Sequence, residues 1–378
     1  MKKALISGAG IAGATAAYWL VKAGFDVTVV ELAHGFRSSG SPVDVRGPAV
    51  EVAERMGVMD RVHTVDTKVR DMVFVNARGR VVSRVDMRAT WGKPGDVELP
   101  RGDLAAILRD AVPDGVELQY GNSVTALEQD ARGVTAQFAV GPDRRFDIVV
   151  GADGAHSGVR ALAFGPESEF VTHLGVYVAT LALHGDAGTD FVMYNTPGRS
   201  VAIHPAGGRA IAAFMFRAPE IANFDHRDLD QHKRLLNSVY AGAGWRVPEL
   251  LEQVRATDDL YFDSVSRIHV PTWSHGRVGL VGDAASCVSL FGDGSSLAMV
   301  GAFTLADSLT GDIPAGLRVY ETRHRPLRAT KENSVSLAAN LFIPATRTGI
   351  AVRNVAVHAW PLIGKVEKLL EYSFAEIR

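Results

Sequence analysis

Residues 4–13 read Ala-Leu-Ile-Ser-Gly-Ala-Gly-Ile-Ala-Gly, a short apolar run that passes directly into a G-x-G-x-x-G motif. The apolar run predicts a buried strand, and the Ala-rich residues Ile11–Ala23 predict a helix that ends at Gly24. The β-branched residues within Asp26–Glu31 predict a second strand. A strand, a turn, a helix and a strand within about 30 residues form the βαβ unit of a doubly wound α/β sheet.

The glycine turn of this unit predicts a phosphate-binding site. Gly8 permits the tight turn, Gly10 lets the backbone approach a pyrophosphate, and Gly13 lets the helix lie close to the strand. The helix start offers free N–H groups and the positive end of the helix dipole. Glu31 ends the next strand 18 residues after Gly13, where its carboxylate suits ribose hydroxyls. The alternative is a turn whose glycine pattern arose by chance. Four features together argue against it: the glycine motif, the strand before it, the helix after it, and Glu31 at the end of the next strand.

Two later segments repeat the pattern of a buried strand that ends in an acidic residue. Asp147–Gly154 ends in Gly-Ala-Asp-Gly, and Arg277–Ala285 contains Gly-Asp-Ala-Ala. Ligands of doubly wound sheets bind outside the carboxyl ends of the strands. Three strand ends with such residues therefore predict a long ligand that lies across this edge of the sheet.

These three segments, in this order and spacing, resemble the single-component FAD-dependent aromatic hydroxylases typified by p-hydroxybenzoate hydroxylase. The pattern is most similar to the tetracycline-inactivating and polyketide-hydroxylating branch, and the similarity covers nearly the whole chain. It implies a glutathione-reductase-type FAD-binding domain from residues 1–68, 99–169 and 265–340. It also implies an antiparallel-sheet substrate domain from residues 69–98 and 170–264, and a helical C-terminal segment, 341–378.

The resemblance also implies which residues hold FAD. It assigns the ribityl chain to Asp283, FAD and NAD(P)H contacts to the Asp-Gly motif closed by Arg160, and a flavin-side contact to Arg101 at an Arg-x-x-Leu helix start. A helix start at Gly292–Ser295 is expected to face the flavin, although this loop lacks the usual prolines. The predicted cofactor-binding residues are Gly8, Gly10, Ile11, Ala12, Gly13, Glu31, Arg46, Arg101, Asp153, Gly154, Asp283, Gly292, Gly294 and Ser295.

The implied reaction is hydroxylation of an aromatic or polycyclic small molecule through a C4a-hydroperoxyflavin, with O2 and with NADH or NADPH as a transient co-substrate. No catalytic triad and no metal site are expected, because the cofactor carries the chemistry. The sequence contains no second G-x-G-x-x-G motif for a separate nicotinamide domain. The substrate is expected between the flavin and apolar strands of the second domain, where the candidates are Phe191, Met193, His204, Phe214 and Phe216. Each of these is also consistent with ordinary sheet core.

Length, charge and cysteine content limit the number of domains, the partners and the cellular location that the sequence allows. The chain has 378 residues, a formal net charge of −2 and one cysteine, Cys287. The length predicts two domains, and the near-neutral charge predicts no nucleic-acid or anionic membrane partner. A single cysteine excludes the dithiol flavin reductases. With no apolar stretch suited to a membrane span and no signal peptide, we expect a cytoplasmic protein, and we take a monomer as the working state.

Two other functions compete with the hydroxylase. A flavin halogenase would carry a Trp-x-Trp pair, but the tryptophans at 19, 91, 245, 273 and 360 are never two residues apart. A flavin-binding protein without its own NAD(P)H-driven turnover, or one reduced by a partner, stays open. It is supported by the loop after Asp283, which lacks the prolines usual in the family that the sequence resembles.

Overall fold

The computed structural model describes residues 1–35, 40–87, 95–183, 185, 188–288, 293–329 and 335–357. The chain divides into two compact units. The first contains residues 1–66, 95–174 and 265–335, and the second contains 67–94, 175–264 and 336–378. The described residues 336–357 group with the second unit, and the predicted C-terminal helical segment, 341–378, lies partly outside the described residues.

The chain alternates between the two units, and its strands fall into several sheets. The strands in chain order are β1 (Lys2–Ser7), β2 (Phe25–Glu31), β3 (Val43–Val45), β4 (Asp71–Val75), β5 (Val81–Asp86), β6 (Val97–Leu99), β7 (Glu117–Tyr120), β8 (Val124–Gln129), β9 (Val134–Phe138), β10 (Arg144–Phe146), β11 (Ile148–Gly151), β12 (Val171–Leu183), β13 (Asp190–Thr196), β14 (Arg199–Ala206), β15 (Arg209–Arg217), β16 (Tyr261–His269), β17 (Ser274–His275), β18 (Val278–Leu280) and β19 (Ser286–Val288).

The α-helices include the one that was predicted after the glycine turn. They are α1 (Ile11–Lys22), α2 (Pro48–Arg55), α3 (Met59–Thr64), α4 (Arg101–Asp110), α5 (Gly158–Ala163), α6 (Leu229–Val239), α7 (Val247–Ala256), α8 (Asp293–Ser308), α9 (Ile313–Ala329) and α10 (Val335–Phe342). Helices α9 and α10 lie on either side of residues 330–334, which are outside the described residues. Residues 358–378 of the predicted helical C-terminal segment also lie outside them.

A mostly parallel sheet, with β17 paired antiparallel to β18, forms the centre of the first unit. Its strand order is β17-β18-β11-β1-β2-β7, with β1 paired in parallel to both β2 and β11. The strands are apolar on both faces, as expected for a parallel sheet covered on each side: Leu5, Val149 and Leu280 are fully buried. β3 and β6 form a separate two-stranded sheet, and β8, β9 and β10 form a three-stranded one.

The second unit is built on a large, mostly antiparallel sheet with the strand order β16-β12-β15-β14-β13-β4-β5. One face of this sheet, which we call the helix face, packs against α6 and α7. Tyr177, Phe214 and Phe216 lie in that core, where Phe214 is 5.2 Å from the Tyr240 ring. Side chains alternate along a strand, so Phe191, Met193 and His204 project from the other side, which we call the opposite face. This mixed helix and sheet architecture confirms the predicted fold class.

Candidate cofactor site and substrate face

The glycine turn has the geometry that the motif predicted. Gly8 has φ +102°, and a Cβ there would lie 2.5 Å from the Ala152 carbonyl oxygen. A Cβ at Gly13 would lie 1.8 Å from the Gly8 carbonyl oxygen, so both positions require glycine. Gly10 differs, because a Cβ there would meet no protein atom within 4 Å. The free space at Gly10 is what a bound pyrophosphate needs.

No side chain caps the start of α1 at Gly10. The first-turn N–H groups, which include those of Ile11 and Ala12, therefore remain available to an anionic ligand. Two backbone N–H groups hold the carboxylate of Glu31 in place. The Ala9 N–H donates to Glu31 Oε2 at 2.8 Å, and the Ala33 N–H donates to Glu31 Oε1 at 2.9 Å. Each carboxylate oxygen keeps a further lone pair for a ribose hydroxyl.

The Gly-Asp motif lies directly beside this turn. Gly282 has φ +64°, and a Cβ there would lie 2.8 Å from the Ala12 Cβ, so the chain passes tightly over the first turn of α1. Asp283 follows in a 3₁₀ turn and is partly exposed. A Cβ at Gly294, in the first turn of α8, would lie 3.8 Å from Asp283 Oδ1. The structure thus brings the glycine turn, Asp283 and the start of α8 to one edge of the sheet.

The carboxylate of Asp153, a predicted cofactor contact, is hydrogen-bonded within the protein. Its carboxylate accepts a hydrogen bond from the Ser157 hydroxyl, another from the Val159 N–H at 3.0 Å, and a third from Ser7 Oγ at 3.4 Å. Burial raises the pKa of this carboxyl above its ordinary value, and these hydrogen bonds oppose that shift. Asp153 therefore fixes the Asp-Gly loop to the start of α5, while Gly154, at φ +82°, keeps open space around its Cα.

Arg160 is fully buried and connects the two acidic motifs. Its Nη1 donates to the Ala284 carbonyl at 3.2 Å, and its Nη2 donates to the Ala155 carbonyl at 2.7 Å. Glu167 Oε2 lies 3.2 Å from the same Nη2. Burial lowers the pKa of the guanidinium, and the carboxylate of Glu167 opposes that effect. Arg160 holds the Gly-Asp turn against the Asp-Gly loop, a positioning role that the sequence did not reveal.

Strand β3 is attached to the first turn of α8. The hydroxyls of Ser295 and Ser296 both donate to the Asp44 carbonyl, at 2.7 and 2.8 Å. Arg46 forms an ion pair with the Asp44 carboxylate, and its Nε lies 3.9 Å from Asp293 Oδ1. The predicted candidates Arg46 and Ser295 therefore belong to one cluster, in which the Ser295 hydroxyl already has a protein partner.

Burial raises the pKa of the Asp44 carboxyl to about 6, and Arg46 lowers it by a smaller amount. The neighbouring carboxylates of Glu98 and Asp293 add to the increase. Asp44 is thus a carboxyl that changes its charge near neutral pH.

Two cofactor candidates remain, Arg101 and Gly292. Arg101 begins α4 with its side chain along Gly40, whose Cβ would be 3.1 Å from Arg101 Cδ. Gly292 lies outside the described residues. Within the described part of the chain, no group of three or more His, Cys, Asp or Glu side chains could hold a metal ion. In the same part, no helix has the length and hydropathy to cross a membrane.

The five predicted substrate residues do not share one surface. Phe214 and Phe216 are 0% and 2% exposed and belong to the core of the helix face. The expectation that they line the same sheet face as Phe191 is therefore wrong, because the pleat sends alternate residues to opposite sides. Phe191, Met193 and His204 do share the opposite face. His204 is paired in register to Ile211, and its Nδ1 lies 2.6 Å from the Pro205 carbonyl oxygen.

The end of α10 contributes a residue that sequence reasoning missed. Phe342 is partly exposed, and its ring lies 6.3 Å from the ring of Phe191, which is 4.8 Å from that of His204. The sheet anchors this segment through its main-chain oxygens. Asn195 Nδ2 donates to the Phe342 carbonyl at 2.7 Å, and Arg217 Nε donates to the next carbonyl at 2.7 Å.

Further bonds complete this anchor, which we call the carbonyl clasp. The Gly198 N–H donates to the Pro344 carbonyl at 2.9 Å, and Arg353 Nη1 donates to the Leu341 carbonyl at 2.9 Å. Arg353 is buried over the face of the Phe74 ring, 3.6 Å from its centre. Cations at the last carbonyls of a helix are stabilised by its dipole. No periodic pattern in the sequence indicates this arrangement, because its acceptors are backbone groups.

Comparison with known proteins gives a consistent result. Residues 1–327 match the FAD binding domain family. A flavin-dependent monooxygenase from Legionella longbeachae is 33% identical over 313 residues, which cover 81% of this chain and 80% of the relative. A flavin-dependent monooxygenase from an unknown prokaryotic organism is 32% identical and covers 90% of both chains. The crystal structure of the tetracycline destructase Tet(51) has a TM-score of 0.83 at 30% identity, covering 94% of this chain and 95% of that one.

Proposed function

This chain belongs to the FAD-dependent monooxygenases, and we propose that it uses NADH or NADPH and O2 to hydroxylate a flat aromatic or polycyclic small molecule. The single observation that carries the proposal is the convergence of the glycine turn, Glu31 and the Gly-Asp turn at one sheet edge. The similarity to monooxygenases and to a tetracycline destructase over most of the chain supports the reaction type and the substrate class.

The residues of the sheet edge fit FAD. We assign the pyrophosphate to the N–H groups at the start of α1 and to the space beside Gly10, and the adenosine ribose to Glu31. We assign the ribityl hydroxyls to Asp283, whose carboxylate is partly exposed beside α1. In these roles the protein binds and orients the cofactor, and bound FAD supplies the redox and oxygen chemistry.

The start of α8 has an electrostatic role in this proposal. Its first-turn N–H groups and dipole stabilise negative charge on a ligand near Gly294. The two serine hydroxyls that bond to Asp44 hold this turn against β3, so that the donors are in place before any charge develops. Arg46 adds a cation to the same cluster.

The nicotinamide co-substrate would bind transiently. A separate dinucleotide domain would require a second glycine motif, which the sequence does not contain. Hydride transfer from a molecule that binds and leaves needs only access to the cofactor, and that is compatible with one glycine turn that FAD occupies permanently.

The test follows the visible spectrum of the purified, FAD-loaded protein during anaerobic addition of NADPH or NADH, with and without phenols and tetracyclines. Bleaching that a ligand accelerates, followed in air by a product 16 mass units heavier, is the expected result. A flavin spectrum that bleaches with dithionite but with neither nicotinamide would contradict the proposal. It would instead favour a flavin-binding protein reduced by a partner.

A further inference from the structure

The carboxyl of Asp44 lies in a group of charged side chains beside the first turn of α8. It pairs with the guanidinium of Arg46, and Glu98 is its cross-strand neighbour in the sheet of β3 and β6. Asp293 Oδ1 lies 3.9 Å from Arg46 Nε, and Asp96 accepts a hydrogen bond at 3.2 Å from the main-chain N–H that follows Arg46. We call these five residues the charge cluster. Four carboxyls surround one cation there, so the protonation of one carboxyl changes the net charge of the cluster.

The main chain, and not the side chain, of Asp44 attaches this cluster to α8. The Asp44 carbonyl accepts hydrogen bonds from the hydroxyls of Ser295 and Ser296, and the Arg46 N–H donates to Ser296 Oγ at 3.1 Å. A substitution of the Asp44 side chain leaves all three bonds possible. The position of β3 against the helix start can therefore be separated by experiment from the charge of the carboxyl.

The charge of the Asp44 carboxyl changes near neutral pH. Its side chain is 12% exposed, and burial raises its pKa to about 6. Arg46 opposes that increase, whereas the carboxyls of Glu98 and Asp293 add to it. Above this pH the carboxylate offsets the charge of Arg46, and below it the neutral carboxyl does not.

Arg46 is placed to act on a ligand at the start of α8. Its side chain is 34% exposed, and within the described residues its Nε has no hydrogen-bond partner, because Asp293 is too distant for one. Asp293 is the first residue of α8, and a Cβ at the next residue, Gly294, would lie 3.8 Å from Asp283 Oδ1. The charge cluster thus extends to the carboxylate to which we assign the ribityl chain of FAD.

We propose that Asp44 is a positioning residue that sets, through Arg46, how strongly the start of α8 stabilises negative charge on bound FAD. This inference rests on the proposed function for the place of the cofactor, but not for the nicotinamide or the substrate. With a neutral Asp44, the cation and the helix dipole act together, so the uptake of two electrons and one proton, which adds a negative charge to the flavin, is favoured. With an ionised Asp44, the helix start acts without that cation.

The experiment measures the midpoint potential of bound FAD from pH 5 to pH 8 by spectroelectrochemical titration, without nicotinamide or substrate. A unit charge about 10 Å away, at an effective dielectric constant of about 20, changes an equilibrium by about 10-fold. Asp44→Asn, whose side chain is always neutral, should match the unmodified protein at pH 5. At pH 8 it should favour reduced over oxidised FAD about 10-fold more strongly, the equivalent of about 30 mV for a two-electron couple.

Arg46→Gln provides a second variant with the opposite pattern. At pH 5 its potential should lie about 30 mV below that of the unmodified protein, again about 10-fold, because the cation is lost. At pH 8 the two should converge, since the loss of Arg46 removes what lowers the pKa of Asp44, and the carboxyl then stays neutral. Adding Asp44→Asn to Arg46→Gln should change the ratio of affinities at pH 8 by less than about threefold.

Asp130→Asn is the matched control, because Asp130 also pairs with an arginine, Arg145, at 2.6 Å. Arg145 holds the pKa of this exposed carboxyl at about 2, so its charge is constant from pH 5 to pH 8. Its potentials should run parallel to those of the unmodified protein. Flavin content and melting curves accompany each variant, and they separate a loss of fold from a change of potential.

Three results would overturn the inference: a difference between Asp44→Asn and the unmodified protein that is the same at every pH, a divergence of Asp130→Asn as large as that of Asp44→Asn, or a constant offset of Arg46→Gln. The proposed function fails separately. A protein whose potentials diverge as expected, but whose flavin neither nicotinamide reduces, keeps this inference and loses the function. A protein that hydroxylates a ligand, but whose Asp44→Asn potentials stay parallel to its own, loses the inference alone.

Discussion

The glycine turn and the opposite face of the large sheet differ in which part of the chain they present. At the turn, the protein offers backbone N–H groups, and the side chains are absent because a Cβ at Gly8 or Gly13 would overlap the backbone. On the sheet, the backbone N–H and C=O groups bond to neighbouring strands, so any recognition depends on the side chains that project from one face. The first surface is fixed by sterics. The second can change one residue at a time, which suits the proposed pairing of a constant cofactor with a variable substrate.

The largest expected effect tests the steric half of this comparison. Gly13→Ala places a Cβ 1.8 Å from the Gly8 carbonyl oxygen, and both atoms are held by backbone. We expect a loss of more than about 5 kcal/mol in unfolding free energy, so that little folded protein is recovered. Urea unfolding and the flavin content after purification measure this. A variant that retains FAD and unfolds at the same urea concentration as the unmodified protein would show that the turn can relax.

The next effect concerns the helix face. Phe214→Ala removes a fully buried ring from the core beside Tyr240, and we expect it to lower the unfolding free energy by about 4 kcal/mol. The dissociation constant of FAD in the folded fraction should not change. Thermal and urea unfolding, with flavin fluorescence for FAD, provide both values.

Phe191→Leu, a conservative change on the opposite face, is the control for Phe214→Ala. It should alter stability by less than about 1.5 kcal/mol. If Phe214→Ala weakened the binding of an aromatic ligand while Phe191→Leu did not, the assignment of Phe214 to the core and of Phe191 to the ligand side of the sheet would be wrong.

A third effect concerns the charge of Asp44, beside the first turn of α8. The pKa of Asp44 is about 6 in the folded protein, above the ordinary value of 3.8. The folded state therefore binds more protons than the unfolded chain between pH 4 and 6, so stability falls as the pH rises through this window, by about 3 kcal/mol in total. In Asp44→Asn this component disappears. Urea unfolding at half-unit intervals from pH 4 to 7 measures the two slopes.

Asp130→Asn is the control for that titration. Arg145 holds the pKa of the exposed Asp130 carboxyl at about 2, so its contribution changes below pH 4 rather than above it. The slope between pH 4 and 6 should be the same as in the unmodified protein. Equal slopes for Asp44→Asn and the unmodified protein would mean that Arg46 compensates the burial of Asp44 fully.

The smallest effect on the fold is expected at Gly10. A Cβ there meets no protein atom within 4 Å, so Gly10→Ala should fold and melt normally. It should weaken FAD binding about 100-fold, or about 3 kcal/mol, if the pyrophosphate occupies that space. Titration of the apoprotein with FAD, followed by flavin fluorescence, measures this. Normal FAD affinity would place the pyrophosphate elsewhere and weaken the comparison at its central point.

The cofactor half of the molecule could be predicted from sequence because its determinants are local. Gly8, Gly13 and Glu31 fall within one βαβ unit, and each has a steric or hydrogen-bonding reason that the residue type itself reveals. Asp153 shows the limit of this reasoning. The motif predicts a cofactor contact for Asp153, but only the structure shows that the Ser157 hydroxyl and the Val159 N–H donate hydrogen bonds to its carboxylate.

The sheet of the second unit, where the substrate is expected, could be predicted only in outline. An apolar strand sequence predicts that its residues are buried, but not which face of the sheet packs against helices. Phe214 and Phe191 therefore appeared equally suited to contact a substrate. Phe342 is 147 residues from Asn195, which donates a hydrogen bond to its carbonyl, and no short-range pattern connects them.

The carbonyl clasp has a consequence for how this protein can evolve. Asn195, Gly198, Arg217 and Arg353 recognise main-chain oxygens, which every amino acid possesses. Replacing the side chain at position 342 therefore leaves the anchoring bonds of its segment intact. A lineage could exchange that ring for a smaller or a polar group and sample new ligands, while the position of the segment is inherited unchanged.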